Sequence, residues 1–213
     1  MGMPKQYDRT ELLDRAVEQF RRQGFNGTST SELVAALGVN RKSMYAEFGS
    51  KQKLFEAALE HYSRNHLARV LAPIEARDAG IDAIRGAFDA YASASEGRFR
   101  GLGCLMCNTA VERGAMDSGS GRYVAEYLER ITRAFRHALG NAQRLGEVEA
   151  TVDLDEMAMF LTTVLIGIAA CVRAEAPPEQ LWAASRMVTR ALDVLSVPAQ
   201  IGAGELPGPS TTG

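Results

Sequence analysis

The chain has 213 residues, 46% of them hydrophobic and 23% charged, so it can bury a substantial core and falls between one large domain and two small ones. No run of eighteen uncharged apolar residues occurs and no apolar segment follows Lys5, so we expect neither a membrane span nor a secretion signal, and a cytoplasmic location. The net charge of -2 conceals an asymmetry, because residues 1–53 carry nine basic against six acidic side chains and the remainder carries fifteen against twenty. Positive potential is thus concentrated in the first quarter, where a polyanion would dock.

Almost every segment has helical periodicity and none alternates as a strand, so the sequence predicts an all-α fold. Capping residues and helix-ending glycines delimit the first helices: Asp8, Ser29, Asn40 and Ser50, with Gly24, Gly38 and Gly49. Two of the caps, Asp8 with Glu11 and Ser29 with Glu32, match the capping box. The fourth helix is expected to run from residue 51 to about residue 71 and to close at Pro73.

Five further helices are predicted near residues 78–95, 103–113, 118–139, 153–174 and 178–195. The last fifteen residues, 199–213, are rich in Gly, Pro, Ser and Thr with almost nothing to bury, and we expect a disordered tail there.

Two short helices joined by Gly38-Val39-Asn40 match a helix-turn-helix. The second helix would present Arg41 and Lys42 to base edges in the major groove. The hydroxyls of Thr28, Ser29 and Tyr45, together with Lys51, would contact phosphates. The predicted DNA-binding residues are Thr28, Ser29, Asn40, Arg41, Lys42, Ser43, Tyr45 and Lys51. A glycine-containing turn between short helices also occurs in many proteins that never bind DNA.

The run from Gly24-Phe25 through Leu37-Gly38-Val39-Asn40 to Tyr45-Ala46-Glu47-Phe48-Gly49-Ser50-Lys51 resembles the amino-terminal domain of the TetR family of transcriptional regulators, over about residues 8–60. The resemblance implies that Tyr45 and Lys51 contact phosphates, that residues 41–43 face the groove and that Phe48 anchors the three-helix core. Two residues depart from the family pattern. Val34 stands where a small residue is usual, and Glu47 stands where an aromatic is frequent, so Glu47 would either repel DNA or accept from cytosine.

One helix-turn-helix domain covers few base pairs, and helix-turn-helix proteins usually bind two DNA half-sites about 34–36 Å apart as dimers. We therefore expect a homodimer. Wide apolar stripes on the last two helices suggest a four-helix bundle between two copies, although the same stripes can face the protomer's own core. The predicted interface is Leu161, Val164, Leu165, Ile168, Leu181, Val188 and Leu192.

Aromatic and methionine side chains between the reading head and these helices are candidates for an apolar effector pocket, although core packing is the usual role of any one of them. The candidates are Phe88, Tyr91, Phe99, Met106, Tyr123, Tyr127, Met159 and Phe160. The family resemblance implies a small-molecule effector in this region that releases the operator, which would make the protein a repressor.

Cys104 and Cys107 form a Cys-x-x-Cys motif, and three interpretations compete. A zinc site lacks a second pair of ligands, so we expect no metal and no cofactor. A redox or electrophile sensor gains from the position of Cys104 near a helix start with Arg98 and Arg100 close by. Two small buried core residues are the simplest reading.

Two other function classes, an enzyme and a sequence-indifferent DNA binder, are alternatives to a regulator. An enzyme would need a recognisable nucleotide, nucleophile or metal motif, and the sequence has none. A sequence-indifferent DNA binder would be basic throughout, whereas the chain is acidic after residue 53. We therefore divide the chain into a DNA-binding domain at 1–53, an effector and dimerisation domain at 54–198 and a tail at 199–213.

Overall fold

The structure, a computed structural model, describes residues 7–113 and 118–195. Within those ranges the chain forms helices and no β-strand, which confirms the all-α prediction. The helices are α1 Arg9–Gln23, α2 Thr30–Leu37, α3 Arg41–Phe48, α4 Lys51–Tyr62, α5 Ala68–Glu75, α6 Ile81–Ser93, α7 Leu105–Arg113, α8 Ser118–Arg144, α9 Leu154–Arg173 and α10 Pro178–Val194. The predicted tail lies outside the described residues. We call residues 9–50, which form α1 to α3, the head, and residues 51–195 the body.

The predicted capping residues begin the first four helices. Ser29 and Glu32 form the full capping box at α2, and Asn40 and Ser50 accept backbone N–H groups at the starts of α3 and α4. At α1, Asp8 accepts the N–H of Thr10, whereas Glu11 pairs with Arg15 at 3.8 Å instead of completing a box. Local hydrogen bonding therefore sets where each head helix starts.

The prediction that one helix ends at Pro73 is wrong. A π-helical turn, Ser63–Leu67, separates α4 from α5, and α5 continues through Pro73 to Glu75. Ile74 is fully buried, so packing holds the last turn although Pro73 provides no backbone N–H. The π turn shifts the helical register by about one residue and changes which side chains face the core.

One hydrophobic core runs through head and body. In the head, α1 packs against α2 around Phe20, Leu33 and Leu37, and Phe48 is buried as expected; α1 also packs against α4 of the body. In the body, α8 packs against α5, α7 and α9, and α10 packs against α6. The central helix of this arrangement is α8, which also contacts α4 and α6.

By length and composition α9 passes the test for a membrane span, with a mean hydropathy of 1.7. Its apolar character has a simpler cause, since residues such as Leu161, Leu165 and Ile168 are buried against the neighbouring helices. The opposite face of α9 exposes Met159 and Phe160, so burial within the protomer accounts for only part of its apolar character.

Candidate nucleic-acid interface and adjoining cavity

The outer face of α3 carries three exposed donors, Arg41, Lys42 and Tyr45. The Arg41 guanidinium lies 5.8 Å from the centre of the Tyr45 ring. Hydrogen bonding with Thr30, at the start of α2, and then with Arg41 lowers the pKa of the Tyr45 hydroxyl. The phenol is thus held between the two helices of the helix-turn-helix with its ring exposed to solvent.

Three of the other predicted DNA contacts lie at helix starts beside this face. Asn40 is exposed and accepts the backbone N–H of Ser43 at 2.8 Å. Ser29 is exposed, and its hydroxyl accepts the N–H of Glu32 at 3.2 Å. Ser43 is half-buried. These groups border the α3 face, with part of their hydrogen-bonding capacity used in capping.

The structure contradicts two expectations for the head. Thr28 is fully buried and donates its hydroxyl to the Gly24 carbonyl, so it closes the turn after α1 and is not a phosphate contact. The Glu47 carboxylate lies 3.2 Å from Arg9 and its side chain is only 6% exposed. Glu47 is thus neutralised within the head and neither repels DNA nor reads cytosine.

Lys51 and the turn before α2 lie where the head meets the body. Lys51 is half-buried, with its Nζ 4.2 Å from the centre of the Phe25 ring. Glu112, on α7, accepts the backbone N–H groups of Phe25 at 2.9 Å and Asn26 at 2.5 Å. A carboxylate of the body therefore holds the turn that leads into the helix-turn-helix.

The C-terminal end of α1 is bound to the body by further hydrogen bonds. Arg21 donates from Nε, at 3.1 Å, and from Nη2 to the Gly103 carbonyl. Arg173, on α9, donates to the Arg22 carbonyl at 2.7 Å and to the Gly101 carbonyl at 2.6 Å. The loop before α7 thus fixes the position of α1 relative to the body.

A cavity of about 240 Å³ lies beside this junction, between α1, the π turn, α6, the loop before α7 and α9. Its wall is mainly apolar, with Arg21 and His66 as its basic side chains. The lining residues are Arg21, His66, Val70, Ala90, Tyr91, Ala94, Phe99, Gly103, Cys104, Ala169 and Val172.

Of the eight predicted pocket residues, the structure places Tyr91 and Phe99 in the cavity wall. Phe88 and Met106 are fully buried, and Phe88 stacks on Phe135 with ring centres 5.7 Å apart, so both belong to the core.

The remaining candidates lie elsewhere. Tyr127 is buried beside the cysteines, and Tyr123 is half-buried against the core with its hydroxyl 2.9 Å from an Arg122 nitrogen. Met159 and Phe160 are 53% and 46% exposed on α9 and are not part of the wall of this cavity. Helical periodicity identifies apolar side chains without distinguishing core, cavity and surface positions.

Arg21 and His66 were missed by sequence reasoning. For an arginine in the last turn of a helix, sequence alone favours a solvent-exposed side chain that interacts with the helix dipole. The Gly103 carbonyl that binds it comes 82 positions later in the chain. His66 lies in the π turn, whose register change has no sequence signal that we recognise.

His66 stacks on Tyr62 with ring centres 4.8 Å apart and meets the edge of Phe99. Burial, followed by the charges of Arg21, Arg69 and Arg98, lowers the pKa of His66 to about 4. The ring is therefore neutral at pH 7 and able to donate one hydrogen bond and accept another.

Cys104 and Cys107 are buried around one hydroxyl, with their sulfurs 3.5 and 3.9 Å from the Tyr127 oxygen. Burial acts to raise the pKa of Cys104, but hydrogen bonds from Cys107, Tyr127 and Tyr62 outweigh it and lower the pKa to about 6. The hydrogen bond to Cys104 and then burial raise the pKa of Cys107. In the described ranges, no group of three or more His, Cys, Asp and Glu side chains is placed to hold a metal.

Six of the seven predicted interface residues face the protomer's own core: Leu161, Leu165, Ile168, Leu181, Val188 and Leu192 are buried. Val164 is half-buried. Assigning these side chains to a dimer surface was wrong, because the strongest apolar stripe of each helix packs inward. The outer faces of α9 and α10 instead expose Met159, Phe160, Met187 and Val194.

Comparison with known proteins extends over both head and body. Residues 12–58 match the family model of bacterial regulatory proteins of the tetR family, and residues 80–188 match that of the tetracyclin repressor-like C-terminal domain. The uncharacterized HTH-type transcriptional regulator YezE of Bacillus subtilis is 30% identical over 182 residues, covering 85% of this chain and 94% of its own. The HTH-type transcriptional repressor ComR of Escherichia coli is 30% identical over 185 residues, covering 84% and 86%.

Solved structures agree with these matches. The TetR family regulator CifR, as a cysteine mutant complexed with 26 bp operator DNA, is 27% identical with a TM-score of 0.78, covering 89% of this chain and 99% of its own. A TetR regulator from Chloroflexus aurantiacus, 22% identical over 86% and 93% of the two chains, has the same fold with a TM-score of 0.77. The chain therefore belongs to the TetR family and is a DNA-binding transcriptional regulator, not an enzyme.

Proposed function

We propose that this regulator is a repressor that binds a palindromic operator as a homodimer and leaves it when a small molecule binds in the body. Its relatives support repression, since ComR and the Mycobacterium protein DhaR are named transcriptional repressors. CifR, which shares the fold, is complexed with operator DNA in its solved structure.

The observation that carries the proposal is the capped helix α3 with Arg41, Lys42 and Tyr45 exposed together. An α-helix enters the roughly 12 Å wide major groove, where arginine and lysine donate to guanine O6 and N7. Tyr45, Ser29 and Lys51 are suited to phosphates, and Asn40 and Ser43 lie at the helix start beside them. Arg41 and Lys42 would recognise the base sequence, and the phosphate contacts would fix the position of the protein on the duplex.

For the dimer we propose the outer faces of α9 and α10. Met159, Phe160, Met187 and Val194 are 53%, 46%, 57% and 80% exposed, so four of the seven exposed large apolar side chains of the described residues lie on these two helices. A second copy is the fitting partner, because a palindrome needs two heads related by a two-fold axis and a two-fold interface uses the same patch twice.

For the effector we propose the cavity of about 240 Å³ beside the junction. A ligand there touches Arg21 on α1, and a coupling of about 1–3 kcal/mol between ligand and DNA suffices for regulation. We also propose that the chain divides into a DNA-binding domain at 1–53, an effector and dimerisation domain at 54–198 and a tail from 199. The same proposal includes a cytoplasmic location and no cofactor.

Cys104 supports a second candidate, a sensor of oxidants or electrophiles on the same fold. It lines the cavity, and its pKa of about 6 makes its sulfur the more reactive of the pair. Replacing Cys104 by Ser and measuring DNA binding with and without peroxide or iodoacetamide tests this role. Equal responses of the two proteins would exclude it.

Selecting DNA from a random pool with the purified protein tests the main proposal. We expect a palindrome whose half-sites lie about one helical turn apart, bound about 10³-fold or more tightly than random DNA at the same salt concentration. Light scattering should give the mass of two chains in the free protein. A single chain in solution with equal affinity for every duplex would overturn the proposal.

A further inference from the structure

Arg21 is a buried cation with no acidic partner in the parts of the chain that the structure describes. The residue is 8% exposed. Its guanidinium donates to the Gly103 carbonyl and lies 5.6 Å from the ring centres of both Tyr62 and Phe99. The ion pairs of the described residues involve other side chains. Because a buried charge is costly unless it is paired, this guanidinium is a strong attractor for an anion.

Apart from the Cys104 thiol, whose pKa is about 6, the charges that act on the cavity are positive. The described lining contains Arg21 and His66 and no aspartate or glutamate. After burial, the charges of Arg21, Arg69 and Arg98 are what hold His66 in its neutral form, so three cations act on the space around that ring. A cationic ligand would be repelled there, and a neutral ligand would leave Arg21 unpaired.

The remaining lining limits the size and polarity of the ligand. At about 240 Å³ the cavity is smaller than the ~300–1,000 Å³ typical of drug-sized sites, and alanine, valine and phenylalanine side chains form much of its wall. The geometry points to a small organic monocarboxylate with an apolar body as the effector, its carboxylate bound by Arg21 and its body against Phe99 and Ala94. This inference rests on the proposed function and names the ligand class of the same cavity.

The same geometry provides a route from ligand to DNA. Arg21 belongs to α1 of the head, while the Gly103 carbonyl belongs to the loop of the body that leads into α7. A carboxylate is a stronger acceptor than a carbonyl, so a bound acid competes for the Nε and Nη2 donors. Weakening the bond to Gly103 removes one of the contacts that fix α1 against the body, and this lowers the free-energy cost of shifting the head relative to the dimer axis.

Calorimetry with pairs of nearly isosteric molecules tests the assignment. Benzoate is compared with benzamide, and hexanoate with hexanamide, on the full chain at constant salt. We expect at least one acid to bind about 10-fold or more tightly than its amide, the range for a hydrogen bond to a charged group. Equal affinities within each pair, or no binding of either acid, would overturn the proposal.

Two arginine variants on the same helix sharpen the test. Arg21→Gln removes the cavity cation, and Arg22→Gln is the matched control, since the Arg22 side chain is exposed and pairs with Glu18. Acid binding should fall about 10-fold or more in R21Q and stay unchanged in R22Q. If R21Q fails to fold by circular dichroism, the comparison of acid and amide on the unaltered chain decides alone.

Cys104, with a pKa of about 6, is the group in the described wall that carries negative charge near pH 7. A thiolate there would oppose the acid, so Cys104→Ser should bind it equally well or more tightly. Weaker binding of the acid by C104S would contradict the assignment to Arg21.

DNA anisotropy separates this inference from the function on which it rests. Specific operator binding without ligand tests the proposed function. Release of the operator by the acid, but not by the amide, in both the unaltered chain and R22Q tests the inference, whereas R21Q, which lacks the bond to Gly103, should bind the operator more weakly even without ligand. If operator binding holds and the acids neither bind nor release it, only the ligand assignment fails.

Discussion

The head and the body differ in how far apart in sequence their organising contacts lie. In the head, Ser29, Asn40 and Ser50 bond backbone groups three residues away, and Gly38 ends α2 with a left-handed φ of 68°. Where the head meets the body, Arg21 binds Gly103 and Arg173 binds Arg22, 82 and 151 positions apart. The DNA-reading surface is thus encoded locally, whereas the cavity depends on long-range packing.

The largest expected effect is on the packing of the body. Phe135 is fully buried and stacks on Phe88, so Phe135→Ala should lower the free energy of unfolding by about 3–5 kcal/mol. Phe160 is 46% exposed, and Phe160→Ala should leave the protomer core intact while weakening the dimer. Urea unfolding at a concentration that keeps both variants dimeric measures the first effect, and light scattering over a dilution series measures the second. Equal losses of unfolding free energy would contradict the distinction between core and outer face.

The contrast between the regions explains how much of the fold could be predicted from sequence. Asp8, Ser29, Asn40 and Ser50 mark their helices because capping involves neighbouring residues. The extension of α5 through Pro73 was missed because burial of Ile74 outweighs a local rule, and no short window contains that burial.

The candidate site divides in the same way. Arg41, Lys42 and Tyr45 were predicted as an exposed set and are one. Phe88 and Leu161 were assigned to pocket and interface although both are core, because periodicity gives the apolar face of a helix and not the element that it meets. Arg21 and His66 were missed because their partners come from distant segments and from a π turn.

Substitution in the head should separate DNA binding from stability. Arg41 is exposed, so Arg41→Ala should weaken binding to the selected palindrome by about 1–3 kcal/mol and relax preference at one base position. Anisotropy at constant salt measures the affinity, with Arg64→Ala as the control that removes one charge from the π turn, where Arg64 pairs with Glu60. Similar losses of affinity in both variants would indicate a general charge effect and no base reading.

The junction should respond to a single methyl group. Gly103 has a φ of 60°, and a Cβ there would lie 2.9 Å from both the Arg173 Cβ and the Asn108 side-chain oxygen. Gly103→Ala should therefore cost more than the ~1–2 kcal/mol of the left-handed conformation alone. Gly146→Ala is the control, since Gly146 has a φ of 75° with nothing within 4 Å of the added carbon. Equal thermal destabilisation of the two variants would mean that the loop yields without strain.

The smallest effect is a pH dependence from His66, which lies in the π turn between head and cavity. Its pKa is about 4 in the folded chain and about 6.5 when unfolded, so between these values the unfolded state binds a proton that the folded state excludes. Folding stability should therefore be fully present above pH 6.5 and decline as the pH falls toward 4. Because the ring is half-buried, solvent screening keeps the change modest.

His66→Gln removes the titrating ring, so its unfolding free energy should decline less than that of the unaltered chain between pH 7.5 and pH 5 in urea titrations. The size of that difference also reports on the ligand. A carboxylate bound at Arg21 offsets part of the positive field that keeps His66 neutral, so a saturating acid should raise the pKa of His66 and reduce the contrast between the two proteins. A pH response identical in both proteins, with and without acid, would contradict the lowered pKa of His66 and the positive field of Arg21, Arg69 and Arg98 on the cavity.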